Sequence, residues 1–75
     1  MTEKIKEIVA GYMGMSVSEI KDDKNFLEID MDSLTLLKII LDVEKTFNIR
    51  IDNDEIVEIR TISDIVNLLE KKISD

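Results

Sequence analysis

The segment from Ser33 to Phe47 sets the strongest limit on how this chain can fold. It holds no glycine or proline and eight of its fifteen residues are apolar. The spacing predicts one continuous helix, with Asp32 placed to accept from its first free backbone N–H groups. At about 100° per residue, Leu36, Ile39, Ile40, Val43 and Phe47 form one stripe, and Leu34, Leu37 and Leu41 form a second about 130° away. Thr35, Lys38, Asp42 and Lys45 fill the wide gap on one side, and Glu44 lies in the narrower gap on the other. Two arrangements satisfy this pattern. Either the helix is central and a loop covers its second stripe, or the stripe carrying Phe47 takes the core and the three leucines form a docking face at the surface. The smaller stripe begins immediately after Asp32-Ser33, and that placement favours the docking face.

The flanking sequence predicts two further main helices. Ile5, Ile8, Val9, Tyr12 and Met13 recur at helical spacing from Thr2 to Met13, and Gly14 stands where the periodicity stops, as a residue just past a helix end does. Thr61 and Asp64 form a variant capping box ahead of Ile65, Val66, Leu68, Leu69 and Ile73. Between them, Ile49 to Ile51 alternates too briefly to be a strand without a partner. Asp52 to Glu58 reads as a short acidic turn whose carboxylates suit a helix start. Residues 15–32 are a long polar connection, with a short turn at Ser18 to Lys21. Its Val17, Ile20, Phe26, Leu27 and Ile29 are expected to pin it to the core. The expected fold is all-α: a small four-helix bundle of three main helices and one short one, with a long loop between helices 1 and 2, in a single domain over 1–75.

Composition narrows the chemistry. With 75 residues and no Cys, His, Trp or Pro, the chain has no disulfide, no Cys/His zinc site and no imidazole base. A domain this small builds one modest core and hardly a walled substrate cavity as well. The formal net charge of −7 opposes nucleic acid and favours encounters with basic protein surfaces. No apolar run reaches the length of a membrane span and the N-terminus has no signal-type apolar region, so a cytoplasmic monomer is expected.

Ser33 has an ordinary reading as a first-turn helix residue. Nucleophilic chemistry needs a base within reach, and the sequence supplies no histidine and nothing that positions Lys24 or Lys38 for the task. What remains is a serine modified by another enzyme. A phosphate attached there would lie near the helix N-terminus, where free N–H groups and the macrodipole stabilise anions, and Asp32 would turn toward solvent or a metal ion during the transfer.

At Asp32-Ser33-Leu34 the chain resembles the acyl carrier protein family, which includes the peptidyl carriers. Phe26-Leu27 upstream, Phe47 closing the helix, Ile51 followed by acids, and Ile59 before Thr61 extend the likeness along essentially the whole chain. The resemblance implies that Ser33 bears phosphopantetheine, taken from coenzyme A through a phosphopantetheinyl transferase, and holds acyl groups as thioesters on its thiol. The protein is then a substrate and carrier rather than an enzyme. Asp32, Leu34, Leu37, Leu41 and Glu44 would meet the basic, apolar entrances of acyl-loading, condensing and acyl-modifying enzymes. Ile40, Ile51, Ile59 and Leu68 would line a shelter for the acyl chain, or simply pack the core.

The departures matter too. Asp30 stands where the family usually has glycine and Asp52 where it commonly has proline, and Thr35 and Lys38 replace acids often found in fatty-acid carriers. Asp30 adds charge beside the serine and Asp52 leaves its turn less restrained, while Thr35 and Lys38 weaken the case for primary fatty-acid synthesis and favour a dedicated pathway. The expected protein is a discrete carrier, as the start at Met1 suggests, of fatty-acid, polyketide or related biosynthesis. A peptidyl carrier loaded with an amino acid and a helical interaction domain with no carrier role stand as alternatives. Calcium binding at Asp52 to Glu55 is disfavoured, because the segment lacks the alternating ligands and central glycine of an EF-hand loop.

Overall fold

A computed structural model describes residues 1–73. Its helices are α1 (Thr2–Met13), α2 (Ser33–Phe47), α3 (Asn53–Ile56) and α4 (Ile62–Ile73). Among the described residues there is no strand, and no helix is long and apolar enough to cross a membrane. The chain is a small all-helical bundle in which α1 packs against both α2 and α4.

Each helix end follows from a local feature of the sequence. Gly14 adopts the left-handed conformation at φ 65° and closes α1 with its N–H on the Ala10 carbonyl. Asn48 does the same for α2 at φ 54°, a stop signal that amphipathic spacing alone does not register. At the start of α4 the Thr61 hydroxyl accepts from Asp64 N–H at 3.1 Å, while the Asp64 carboxylate accepts from Arg60 N–H at 2.8 Å and Thr61 N–H at 3.1 Å. That reciprocal arrangement is the expected capping box with one additional bond.

The long connection is ordered by two short 3₁₀ turns, Val17–Glu19 and Phe26–Ile29. The second was not apparent from periodicity, because a four-residue turn is too short to establish one. Ile20, Phe26 and Met31 are buried, and Val17 and Ile29 are half-buried. Leu27 departs from expectation: the second 3₁₀ turn faces it outward, leaving it 76% exposed. Backbone bonds then tie the connection to the other side of the bundle. Phe26 N–H donates to the Arg60 carbonyl at 2.8 Å, and Ser63 N–H donates to the Asp22 carbonyl at 2.9 Å.

The core resolves the question of the two stripes on α2. Ile39, Ile40 and Val43 are buried with Ile5, Val9, Ile62, Ile65 and Leu69, and Leu36 and Phe47 pack at the edge of this cluster. The second stripe lies outside, with Leu34 61%, Leu37 43% and Leu41 51% exposed. A domain of this size has roughly 4–11 kcal/mol of stability. Ile39→Ala is therefore expected to cost about 2–5 kcal/mol in urea denaturation. Leu37→Ala, on the outer stripe, is expected to stay within about 0.5 kcal/mol of the parent.

Candidate functional site

Ser33 is the first residue of α2, and three preceding residues determine how it is presented. Asp30 occupies the left-handed region at φ 59° and ψ 31°, and its N–H donates to the Leu27 carbonyl at 3.1 Å. This is a conformation that costs most L-residues energy but that Asp tolerates better than most. Buried Met31 follows, its N–H on the Phe26 carbonyl at 3.1 Å, and anchors the reversed chain. Asp32 then returns to extended backbone, and its carboxylate accepts from Thr35 N–H at 2.8 Å. The serine is left exposed at the helix start.

The electrostatics of Asp32 follow from that cap. The backbone bond from Thr35, with the nearby Lys38 charge in support, holds its carboxyl below the ordinary carboxylate range. A depressed folded-state value means that the cap's stabilisation is fully present above the ordinary carboxylate range and is lost as pH falls through the lowered value. Asp32 is thus anionic at neutral pH and faces the helix backbone.

Ser33 borders a groove of about 200 Å³. Phe26, Met31, Leu36 and Ile59 give it apolar walls, and Asn25, Asp32 and Arg60 supply polar groups. Leu27 and Val57 also border it; Val57 is 69% exposed. Sequence reasoning did not single out Val57 or Arg60 as site residues. Both come from the α3–α4 connection, which a backbone bond from Phe26 to Arg60 and the burial of Ile59 beside Phe26 and Met31 hold near Ser33.

The other expected site residues separate into groups. Leu34, Leu37 and Leu41 continue outward along α2 from Ser33. Glu44 is half-buried, and its carboxylate accepts from Ile51 N–H at 2.8 Å. It holds the loop after α2 in place, so its carboxylate is engaged within the fold. Ile59 and Leu68 border a second groove of about 360 Å³ between α3 and α4, rimmed by Asp54, Glu55, Glu58, Asp64 and Lys71. Ile59 borders both grooves. Ile40 and Ile51 are buried in the core and border neither. In the Asp52–Glu55 segment, Glu55 accepts from Asp52 N–H and pairs with Lys72, each at 2.9 Å, which accounts for that acid as a helix start.

Residues 3–69 match the family model described as the phosphopantetheine attachment site. The chain belongs to the phosphopantetheine-attachment family of acyl carrier proteins. It is 34% identical over 74 residues to the polyketide-8 synthase acyl carrier protein 2 of Streptomyces avermitilis, covering 97% of this chain and 85% of that one. It is also 34% identical over 70 residues to an acyl carrier protein of Streptococcus thermophilus, covering 93% and 92% of the two chains. The crystal structure of the Thermotoga maritima acyl carrier protein superposes with a TM-score of 0.81 at 28% identity, covering 95% of this chain and 84% of that one. Carriers of this family bear phosphopantetheine and are not themselves catalysts.

The geometry of this carrier gives Glu44 a measurable structural part. Glu44→Ala leaves Ile51 N–H without its acceptor and is expected to lower stability by about 1–2 kcal/mol. Glu44→Gln retains an amide oxygen that can accept, and should lose much less; urea midpoints of the three proteins check this.

Proposed function

We propose that Ser33 is the attachment point of the phosphopantetheine arm, and that the protein carries acyl intermediates on it between enzymes of a dedicated biosynthetic pathway. The observation that carries this reading is the exposed Ser33 hydroxyl at the start of α2, held behind the Asp32 cap and opening on a groove. That groove suits such an arm, with Asp32 and Arg60 as polar groups near the attachment point and an apolar wall beyond them. When bound, the arm supplies a terminal thiol, and hence thioester chemistry that a chain without cysteine lacks. The chain's own residues present the hydroxyl, hold the helix start rigid and offer surfaces to partners.

Asp32, Leu34, Leu37 and Leu41 are our docking residues, with Glu28 and Asp30 adding exposed acids at the same end. These acids would meet the basic rim of a phosphopantetheinyl transferase or of a loading, condensing or acyl-modifying enzyme. Glu44 contributes indirectly, by fixing the loop after α2. Ile59 and Leu68 are our lining residues for an acyl chain lying against the bundle. Ile40 and Ile51 would join them only if the helices parted. The similarity to a polyketide synthase carrier, together with Thr35 and Lys38 on α2, favours a polyketide-type or related pathway over primary fatty-acid synthesis. The setting we propose is a cytoplasmic monomer.

Intact-mass measurement after incubation with coenzyme A, Mg²⁺ and a broad-specificity phosphopantetheinyl transferase tests the attachment. The parent should gain one phosphopantetheinyl group and Ser33→Ala none. Gain by the Ser33→Ala protein, or none by the parent with several transferases, would overturn the assignment.

A further inference from the structure

The exposed face of α2 carries a charge opposite to that of the whole protein. Counting about 100° per residue from Leu34, Lys45 lies near 20°, Lys38 near 40° and Leu41 near 340°, so lysines and leucines share one narrow strip. Leu34, Lys38, Leu41 and Lys45 are all exposed. Arg50 is exposed too, and borders the groove that Leu41 and Lys45 form with the loop after α2. Three of the chain's ten cations therefore surround Leu41, although the net charge is −7.

The two acids within this stretch do not neutralise them by pairing. Asp42 accepts from the Tyr12 hydroxyl at 3.2 Å and the Thr46 hydroxyl at 3.4 Å, and Glu44 accepts from Ile51 N–H at 2.8 Å. Both are turned to the protein's own donors. Among the described residues, the ion pairs within 4.0 Å are Lys6 with Asp22 and Lys72 with Glu55, so Lys38, Lys45 and Arg50 reach no carboxylate at that distance. Exposed acids lie instead at the Ser33 end, at Glu28, Asp30 and Asp32, and at Asp54 on α3; Glu28 and Asp32 also accept backbone N–H bonds while remaining exposed.

We propose that the middle of α2 docks on a partner enzyme through an apolar recess edged by carboxylates. The recess receives Leu37 and Leu41, and the carboxylates meet Lys38, Lys45 and Arg50. The partner's footprint is thus split, basic where it meets the acids beside Ser33 and acidic farther along the helix. Such a split fixes the direction in which the carrier lies on its partner, because reversing it places like charges together at both ends. The inference rests on the carrier reading only in taking the partner to be an enzyme.

The test uses the full, unmodified chain and two synthetic amphipathic helical peptides, one of leucine and glutamate and one of leucine and lysine, mapped by amide chemical shifts. The leucine–glutamate peptide should shift Leu37, Lys38, Leu41, Lys45 and Arg50. Its affinity should fall at least tenfold in the Lys38→Gln, Lys45→Gln, Arg50→Gln triple variant, with circular dichroism checking that the variant is folded. Leu41→Ser alone should weaken it as well, which keeps the test informative should the triple variant unfold. The leucine–lysine peptide should shift Glu28 to Asp32 and α3 instead. Equal affinity of the acidic peptide for parent and folded variants, or occupation of the α2 face by the basic peptide, overturns the proposal. A dimer in sedimentation that the triple variant abolishes would assign the face to a second copy, and flotation with phosphatidylserine vesicles lost in the same variant would assign it to a membrane. Either result also overturns it. Because Ser33 is unmodified throughout, a failure here leaves the attachment reading intact, and a failure of attachment leaves this measurement interpretable.

Discussion

Where α2 begins governs the rest of the site, and a backbone reversal at Asp30 sets that point. A residue in the left-handed region turns the chain after the second 3₁₀ turn, and buried Met31 holds the turn against the core. The Asp32 carboxylate then takes the Thr35 N–H and starts the helix. Moving this start by one residue would rotate Ser33 by about 100° around the helix axis. The serine would no longer face the groove shared by Phe26, Ile59 and Arg60. Asp is among the better-tolerated non-glycine residues in that conformation, so the position retains its turn while gaining a charge beside the serine.

The same helix serves the core and the surface with different residues. Ile39, Ile40 and Val43 join α1 and α4 in the core, and this leaves Leu34, Leu37 and Leu41 exposed. A bundle of 75 residues has too little covering structure to bury both stripes. The outward leucines are a consequence of that geometry, and they continue along α2 from Ser33, which is why we propose them as docking residues. Glu44 stands between the two roles, since its carboxylate secures Ile51 and with it the loop that shapes the far end of the exposed face.

Much of the fold was legible because its signals are local. α1 and α2 have the boundaries that spacing predicts, and the Thr61–Asp64 capping box and the left-handed Gly14 are as expected. What was hidden depends on contacts distant in sequence. Ile20 and Phe26 anchor the long connection as expected, but Leu27 does not, and two backbone bonds, Phe26 to Arg60 and Ser63 to Asp22, add ties that carry no side-chain signature. Val57 and Arg60 share a groove with Ser33 across these long-range contacts. Glu44 looked like a docking acid because its helical position is near the surface, and only the approach of Ile51 N–H reveals its structural part. The role we propose for Ser33 draws on its place between a helix cap and an outward stripe, with the chemistry taken from the family resemblance.

The most direct measurement of the central claim is the kcat/KM of a phosphopantetheinyl transferase for the parent and for Asp30→Gly, Asp30→Asn and Asp30→Val, with the folded fraction of each determined alongside. If backbone conformation presents the serine, Asp30→Gly and Asp30→Asn should match the parent and Asp30→Val should be slower by several-fold, since β-branched residues disfavour the left-handed region. If all three variants are slowed alike, the transferase reads the Asp30 charge, and the account in which the turn presents Ser33 is contradicted.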